Sequence, residues 1–183
     1  LLKVFRMYAA LKALAQENRY DALTVKCQYE LSQMFGHTPC VALSLMGDRM
    51  PVSCEGDLPL IVTQLIMHYL SGNEVVTYAD VHEVEGGRVA LAACGFAPFS
   101  LCEPAERRVA KWGWEAFSGF LNSSPLKQGR VTLARLAGRG DRYKMHIAPG
   151  NAGRAIPWRE VGCPPYPYVD VVLDGSSESF AQQ

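Results

Sequence analysis

The sequence predicts an α/β chain in two parts, a parallel-sheet unit followed by a mainly antiparallel β unit. Three observations carry this reading. Helical and short apolar, strand-like segments alternate up to about residue 73, the pattern of a parallel sheet with crossover helices. From Glu74 onward the period shortens to alternation, with hairpin signatures centred on Glu85-Gly86-Gly87 and Gly138-Arg139-Gly140-Asp141. Near the border of the two regimes, Cys54-Glu55-Gly56-Asp57 marks a strand giving way to a helix.

Residues 1–16 read as an amphipathic helix with Val4, Met7, Tyr8, Leu11 and Leu14 on its inner face. Residues 21–26 read as a short buried strand, 29–35 as a short helix closed by Gly36, and Val41-Ala42-Leu43-Ser44-Leu45 as a second buried strand. The helix after Glu55 is marked by Leu58, Ile61, Val62, Leu65, Ile66 and Tyr69 at helical spacing, with Asp57 as N-cap, Pro59 in the first turn and Gly72 as its stop. Residues 1–73 are therefore expected to be the C-terminal half of a Rossmann-like α/β domain. They carry neither G-x-G-x-x-G nor a Walker A motif, so a nucleotide is not indicated. Residues 74–183 are expected to form a β-rich, barrel-like domain, with strands at 75–84, 88–94, 129–136, 143–148 and 168–173 and loops rich in Gly and Pro at 97–104 and 149–167. Both ends read as cut, Leu1 falling inside a helix and Ser176-Ser177-Glu178-Ser179-Phe180 opening one that stops at Gln183. The expectation is a fragment of a larger protein.

Lys plus Arg and Asp plus Glu each number 18 among 183 residues. A net charge of zero argues against nucleic acid or an anionic membrane as the main partner. No apolar stretch reaches the roughly 20 residues that cross a bilayer, and no signal peptide is visible, so a cytoplasmic protein is expected. Cys27, Cys40, Cys54, Cys94, Cys102 and Cys163 include no C-x-x-C pair and several lie in apolar runs. They read as reduced core thiols, and a zinc site is not expected.

Glu55 and Asp80 are the candidate chemical pair. Glu55 ends a strand before a helix N-terminus, the usual position for ligand chemistry in open α/β sheets. Asp80 sits in a run of Val, Tyr and Ala, where an unpaired carboxylate is costly. Two converging carboxylates suit a hard divalent cation such as Mg²⁺ or Mn²⁺. The plainer alternative is that Glu55 caps a helix or pairs with an arginine and that Asp80 faces solvent. Asp57 reads better as an N-cap than as a ligand. His82, two residues past Asp80, is placed by strand alternation on the same face and is a candidate substrate contact. His68 and His146 read as structural. Trp112, Trp114, Phe117 and Phe120 suit either a sugar-stacking wall or core packing, and Arg135, Arg139, Arg142 and Lys144 a solvated hairpin tip.

Cys54-Glu55-Gly56-Asp57, the helix end Tyr69-Leu70-Ser71-Gly72, Tyr78-Ala79-Asp80-Val81, Ala93-Cys94-Gly95-Phe96-Ala97-Pro98 and Gly129-Arg130-Val131-Thr132-Leu133-Ala134-Arg135-Leu136 occur in that order. Through these motifs the chain resembles the C-terminal portion of the L-fucose isomerase family, which is related in fold to the L-arabinose isomerases. The resemblance implies that Glu55 and Asp80 bind Mn²⁺, or another divalent cation such as Mg²⁺ or Co²⁺, and serve as the proton-transfer pair. It implies interconversion of an open-chain aldose and ketose through a cis-enediol, in a homo-oligomer (hexamer or trimer) acting on a monosaccharide. The family's third ligand, a histidine, lies in a later segment to which no residue here corresponds, so the site of this chain is expected to be incomplete. Gly56 departs from the family's usual triplet and implies a subfamily with its own substrate. Two rival readings are a non-catalytic sugar-binding relative and a β-rich assembly module with structural carboxylates.

Overall fold

The computed structural model describes residues 1–27, 30–114, 117–154, 167–176 and 180. Helix α1 (Leu2–Asn18) opens the chain, and Arg19 at φ 55° ends it in the left-handed conformation. Strand β1 (Leu23–Val25) follows, then the short helix α2 (Glu30–Phe35), which Gly36 closes at φ 59°. Of the inner face expected for α1, Val4 is buried and Tyr8 and Leu11 pack on the core, whereas Leu14 is exposed.

The second predicted strand is corrected by the structure: Val41 to Leu45 belong to helix α3 (Cys40–Gly47). Nearly every residue of α3 is buried, so it shows no polar stripe and its apolar run has no helical period to read. A helix buried all round and a core strand look alike at this length. The parallel sheet consequently has two strands among the described residues, β1 and β2 (Val52–Cys54), paired Leu23 to Val52 and Val25 to Cys54. A Ser53 Oγ to Thr24 Oγ1 hydrogen bond of 2.9 Å ties the pair across the strands.

Helix α4 (Leu58–Leu70) begins as the sequence predicts. Asp57 Oδ1 accepts from Leu60 N at 2.8 Å and Pro59 lies in the first turn, satisfying one of the orphan donors of a helix start. Ser71 is the C-cap, with Gly72 and Asn73 at positive φ just beyond.

Strands β3 (Asp80–Glu85) and β4 (Arg88–Ala92) form the first predicted hairpin, turned by Gly86 and Gly87 at φ 55° and 82°. Such a two-residue turn needs positive φ at both positions, which glycine supplies without strain. The strand begins at Asp80, five residues later than the alternation from Val75 predicts. Strands β5 (Val109–Trp114) and β6 (Phe117–Asn122) form a second hairpin at the aromatic cluster, where the sequence alone indicates no strand. Strands β7 (Gly129–Arg139) and β8 (Arg142–Gly153) are the longest pair and take in the first residues of the loop predicted at 149–167. Strand β9 (Tyr168–Leu173) matches its predicted bounds and completes an antiparallel sheet in the order β3-β4-β9-β8-β7. The rest of that loop, Cys163 and most of the predicted C-terminal helix lie outside the described residues.

One core cluster draws on both predicted parts. Leu43, Met46, Val52 and Cys54 pack with Tyr78, Ala93, Cys94 and Phe96, and the Tyr78 and Phe96 rings stack 5.5 Å apart. Asn122, fully buried at the end of β6, donates from Nδ2 to Ala97 O at 2.9 Å and so anchors the loop after Cys94. Gly95 in that loop has φ 96°, and a Cβ there would lie 2.7 Å from Leu121 Cδ2 and 2.9 Å from Leu121 Cβ. Gly95→Ala is therefore expected to lose about 2–4 kcal/mol of stability, read from urea unfolding, through combined backbone strain and overpacking. No helix among the described residues is long and apolar enough to cross a membrane.

Candidate functional site

Helix α4 packs against β7 of the large sheet, and between the helix and that sheet lies a cleft of about 830 Å³. Thr63 Oγ1 fixes the approach, donating to Pro59 O at 2.7 Å and accepting from Leu136 N at 2.9 Å. Glu55, Asp57 and Asp80 stand on the wall of this one cleft. The parallel pair ends at Cys54, so Glu55 is the first residue beyond the strand and two before the N-cap of α4. Glu55 adopts φ 75° and Gly56 φ 70°. A glutamate in the left-handed region costs on the order of 1 kcal/mol and persists where the surroundings over-determine it, as at ligand sites.

Asp80 reaches the same wall from the first residue of β3. Its carboxyl is pushed up to about 6, first by burial in the concavity and then by the Glu55 charge, with Asp57 adding to the effect and Arg135 opposing it. The residue as a whole keeps an exposed surface, because the cleft is open to water while protein surrounds the carboxyl on several sides. Glu55 and Asp80 on one cleft wall, with the Glu55 charge raising the proton affinity of Asp80, make a donor set that suits a hard dication. Asp57 is held elsewhere: its Oδ2 accepts from Arg135 at 2.9 Å while its Oδ1 caps α4. The N-cap reading of Asp57 stands, and Arg135 leaves the expected solvated tip to join the cleft.

His82 does not share the face of Asp80. The β3–β4 register passes from Val81↔Leu91 to Glu83↔Ala90, so His82 is the bulged residue and the two-residue alternation used to place it breaks there. It is exposed and does not line the cleft. Trp112 is half-buried in β5, opposite Gly119, and also stands outside the cleft lining. Four residues that sequence reading did not single out as ligands do line it: Gln64, Lys127, Arg130 and His146. Gln64 carries the clearest signal, a polar side chain at only 3% exposure whose Oε1 and Nε2 find no protein partner. Its place on the helix face one turn beyond Leu60 was legible, but an amide on an apolar helix has no motif of its own. Arg130 pairs with Asp174, whereas Lys127 makes no ion pair among the described residues.

Behind the wall lies a group of thiols. Cys54 Sγ is 3.9 Å from Cys94 Sγ, and the Cys94 thiol donates to Glu55 Oε1 at 3.4 Å. Tyr78 Oη touches the Cys54 sulfur and stands 3.7 Å from that of Cys94. Hydrogen bonding with Cys27, then with Cys94, and burial hold the Cys54 thiol well above its ordinary pKa. Burial does the same to the Tyr78 hydroxyl. The five described cysteines are free and buried, as the sequence predicts.

The chain is similar to proteins named sulfoquinovose isomerase from Priestia aryabhattai and Priestia megaterium, each 29% identical over 140 residues, a stretch covering 75% of this chain and 31% of the relative. A sulfoquinovose isomerase of Alkalicoccus urumqiensis is 25% identical over 147 residues, covering 79% of this chain and 33% of that protein. The chain thus spans about a third of the length of these curated relatives. No family model matches it. All three of these relatives are named as isomerases.

Proposed function

We propose that this chain supplies the carboxylate half of an aldose–ketose isomerase site that takes an open-chain sugar through a cis-enediol. The observation that carries the reading is the convergence of Glu55 and Asp80 on one cleft wall, with Glu55 held in a left-handed backbone. Glu55 and Asp80 would hold a divalent cation, Mn²⁺ or a similar ion. When bound, it supplies Lewis-acid stabilisation of the negative charge that develops on neighbouring sugar oxygens. One carboxylate removes the proton from C2 of the aldose and returns it to C1, acting first as base and then as acid. The other, on the same cleft wall, moves the proton between O1 and O2. Gln64, buried with both amide atoms unpaired, is suited to orient a substrate hydroxyl from the floor of the cleft. The family resemblance adds a homo-oligomer in which neighbouring chains complete the site.

The substrate is an aldose carrying an anion at the end remote from the aldehyde. Sulfoquinovose, the sugar in the relatives' name, is a sulfonated hexose of this kind. Lys127, Arg130 and His146 line the cleft, and Lys127 has no carboxylate partner among the described residues to neutralise it. The test is a ketose-forming assay on the full-length protein with a sulfonated hexose and with neutral C5 and C6 aldoses. Lys127→Ala is expected to raise KM for the sulfonated sugar about tenfold, in line with the loss of one charge-assisted hydrogen bond. It should leave KM for neutral aldoses unchanged. Equal effects on charged and neutral sugars would remove the anion from the reading.

A further inference from the structure

We propose that Cys54, Cys94 and Glu55 form a second metal site, specific for thiophilic dications such as Zn²⁺ or Cd²⁺, directly behind the sugar cleft. The three ligand atoms lie within 4.8 Å of one another. Zn–S bonds of about 2.3 Å and Zn–O bonds of about 2.0 Å at the tetrahedral angle put sulfurs about 3.8 Å apart and a sulfur about 3.5 Å from an oxygen. The observed edges are 3.9 Å between Cys54 Sγ and Cys94 Sγ and 3.4 Å between Cys94 Sγ and Glu55 Oε1. Two edges of a coordination tetrahedron are therefore preformed, a Glu55 carboxylate oxygen also lies within 4.8 Å of Cys54 Sγ, and the fourth corner falls to water from the cleft.

The chain builds this arrangement from distant places. Cys54 ends β2, Cys94 follows β4, and the core that joins the two parts presses them together. No C-x-x-C spacing announces it, which is why a zinc site was not expected from the sequence. Thiolate donors select Zn²⁺ and softer ions over Mn²⁺ or Mg²⁺, so the site differs in ion preference from the all-oxygen pair Glu55 and Asp80. Binding exchanges two thiol protons for one dication, with no redox change: the ion enters, two S–H bonds break and two protons leave to solvent. The sulfurs themselves are buried, but Glu55 and Tyr78 both line the cleft, and the route in runs past them.

Because Glu55 belongs to both sets, a thiophilic ion withdraws it from the sugar side. This consequence, inhibition by Cd²⁺ or Zn²⁺, rests on the isomerase reading above; the site itself does not. The test is titration of the full-length, reduced protein with Cd²⁺, followed by the ultraviolet sulfur-to-cadmium charge-transfer band. The expected result is a band saturating at one ion per chain in the wild type, lost in Cys94→Ser and in Cys54→Ser, and kept in Cys102→Ser. In Glu55→Gln the band should persist with affinity at least about tenfold lower, as for loss of one ligand. No band in the wild type, or an undiminished one in Cys94→Ser, overturns the site and leaves the thiols as packing groups. Should either cysteine variant fold poorly, Glu55→Gln alone decides: unchanged Cd²⁺ affinity also overturns it. A band without sugar turnover keeps this site and removes the isomerase reading, and turnover without a band does the reverse.

Discussion

Glu55→Gln is expected to lower kcat for aldose–ketose interconversion by about 10³-fold or more, since it removes both a charge from the dication site and a proton-transfer group. The substitution preserves the side chain's shape, and the amide oxygen still accepts from the Cys94 thiol, now 3.4 Å away. The backbone strain at φ 75° is the same for either residue. Thermal unfolding of the metal-free variant should accordingly lie close to that of the wild type. A variant that keeps more than a tenth of the wild-type kcat would show that Glu55 is a structural junction residue and nothing more.

Asp80→Asn carries the second large effect, and its two readouts run in opposite directions. Turnover should fall by about 10²–10⁴-fold, the usual range for removing a positioned acid–base group. Metal-free stability should rise at neutral pH. The sign follows from linkage: the folded carboxyl holds its proton up to about 6, whereas the unfolded one loses it near 3.8. Between these values the native state binds more protons, so stability falls as pH rises through the window and stays lost above it. Asparagine removes that loss. After allowance for the solvent that reaches Asp80, the gain at neutral pH is on the order of 1 kcal/mol, fading to nothing near pH 4. Mn²⁺ reverses the order, stabilising the wild type by mass action and the variant little. A variant that is less stable than the metal-free wild type at neutral pH would mean that Asp80 makes a favourable contact and is not crowded by Glu55.

The junction at Glu55 was legible because each local signal agreed. A three-residue strand, the Asp57 cap, Pro59 in the first turn and the period of Leu58 to Tyr69 all point to one geometry. The Gly86-Gly87 turn and the bounds of β9 were legible for the same reason. Helix α3 was not, because burial on every side removes the polar stripe that reveals a helical period. The β5–β6 hairpin was hidden by Trp112, Trp114, Phe117 and Phe120, whose aromatic clustering masks the alternation around the turn. His82 was misplaced by a bulge, which inserts one residue and leaves no composition signature. In the site itself, Glu55 is singled out by its place between a strand and a helix N-terminus, and Asp80 by its cost in apolar surroundings. Gln64, Lys127, Arg130 and His146 come to the cleft only through the packing of α4 on β7 and the β7–β8 pairing. The Cys54–Cys94 contact joins residues 40 apart in sequence and is a property of the core alone.

The central claim is that Glu55 and Asp80 act together on one hard dication. Calorimetric titration of the full-length protein with Mn²⁺, repeated on Glu55→Gln and Asp80→Asn, tests it most directly. The account predicts one Mn²⁺ per chain in the wild type, with affinity lowered at least about 10²-fold in each variant, as removal of a charged ligand requires. A wild type that takes up no Mn²⁺, or variants that bind it as tightly as the wild type, would contradict the account and leave the two carboxylates as structural groups of the cleft wall.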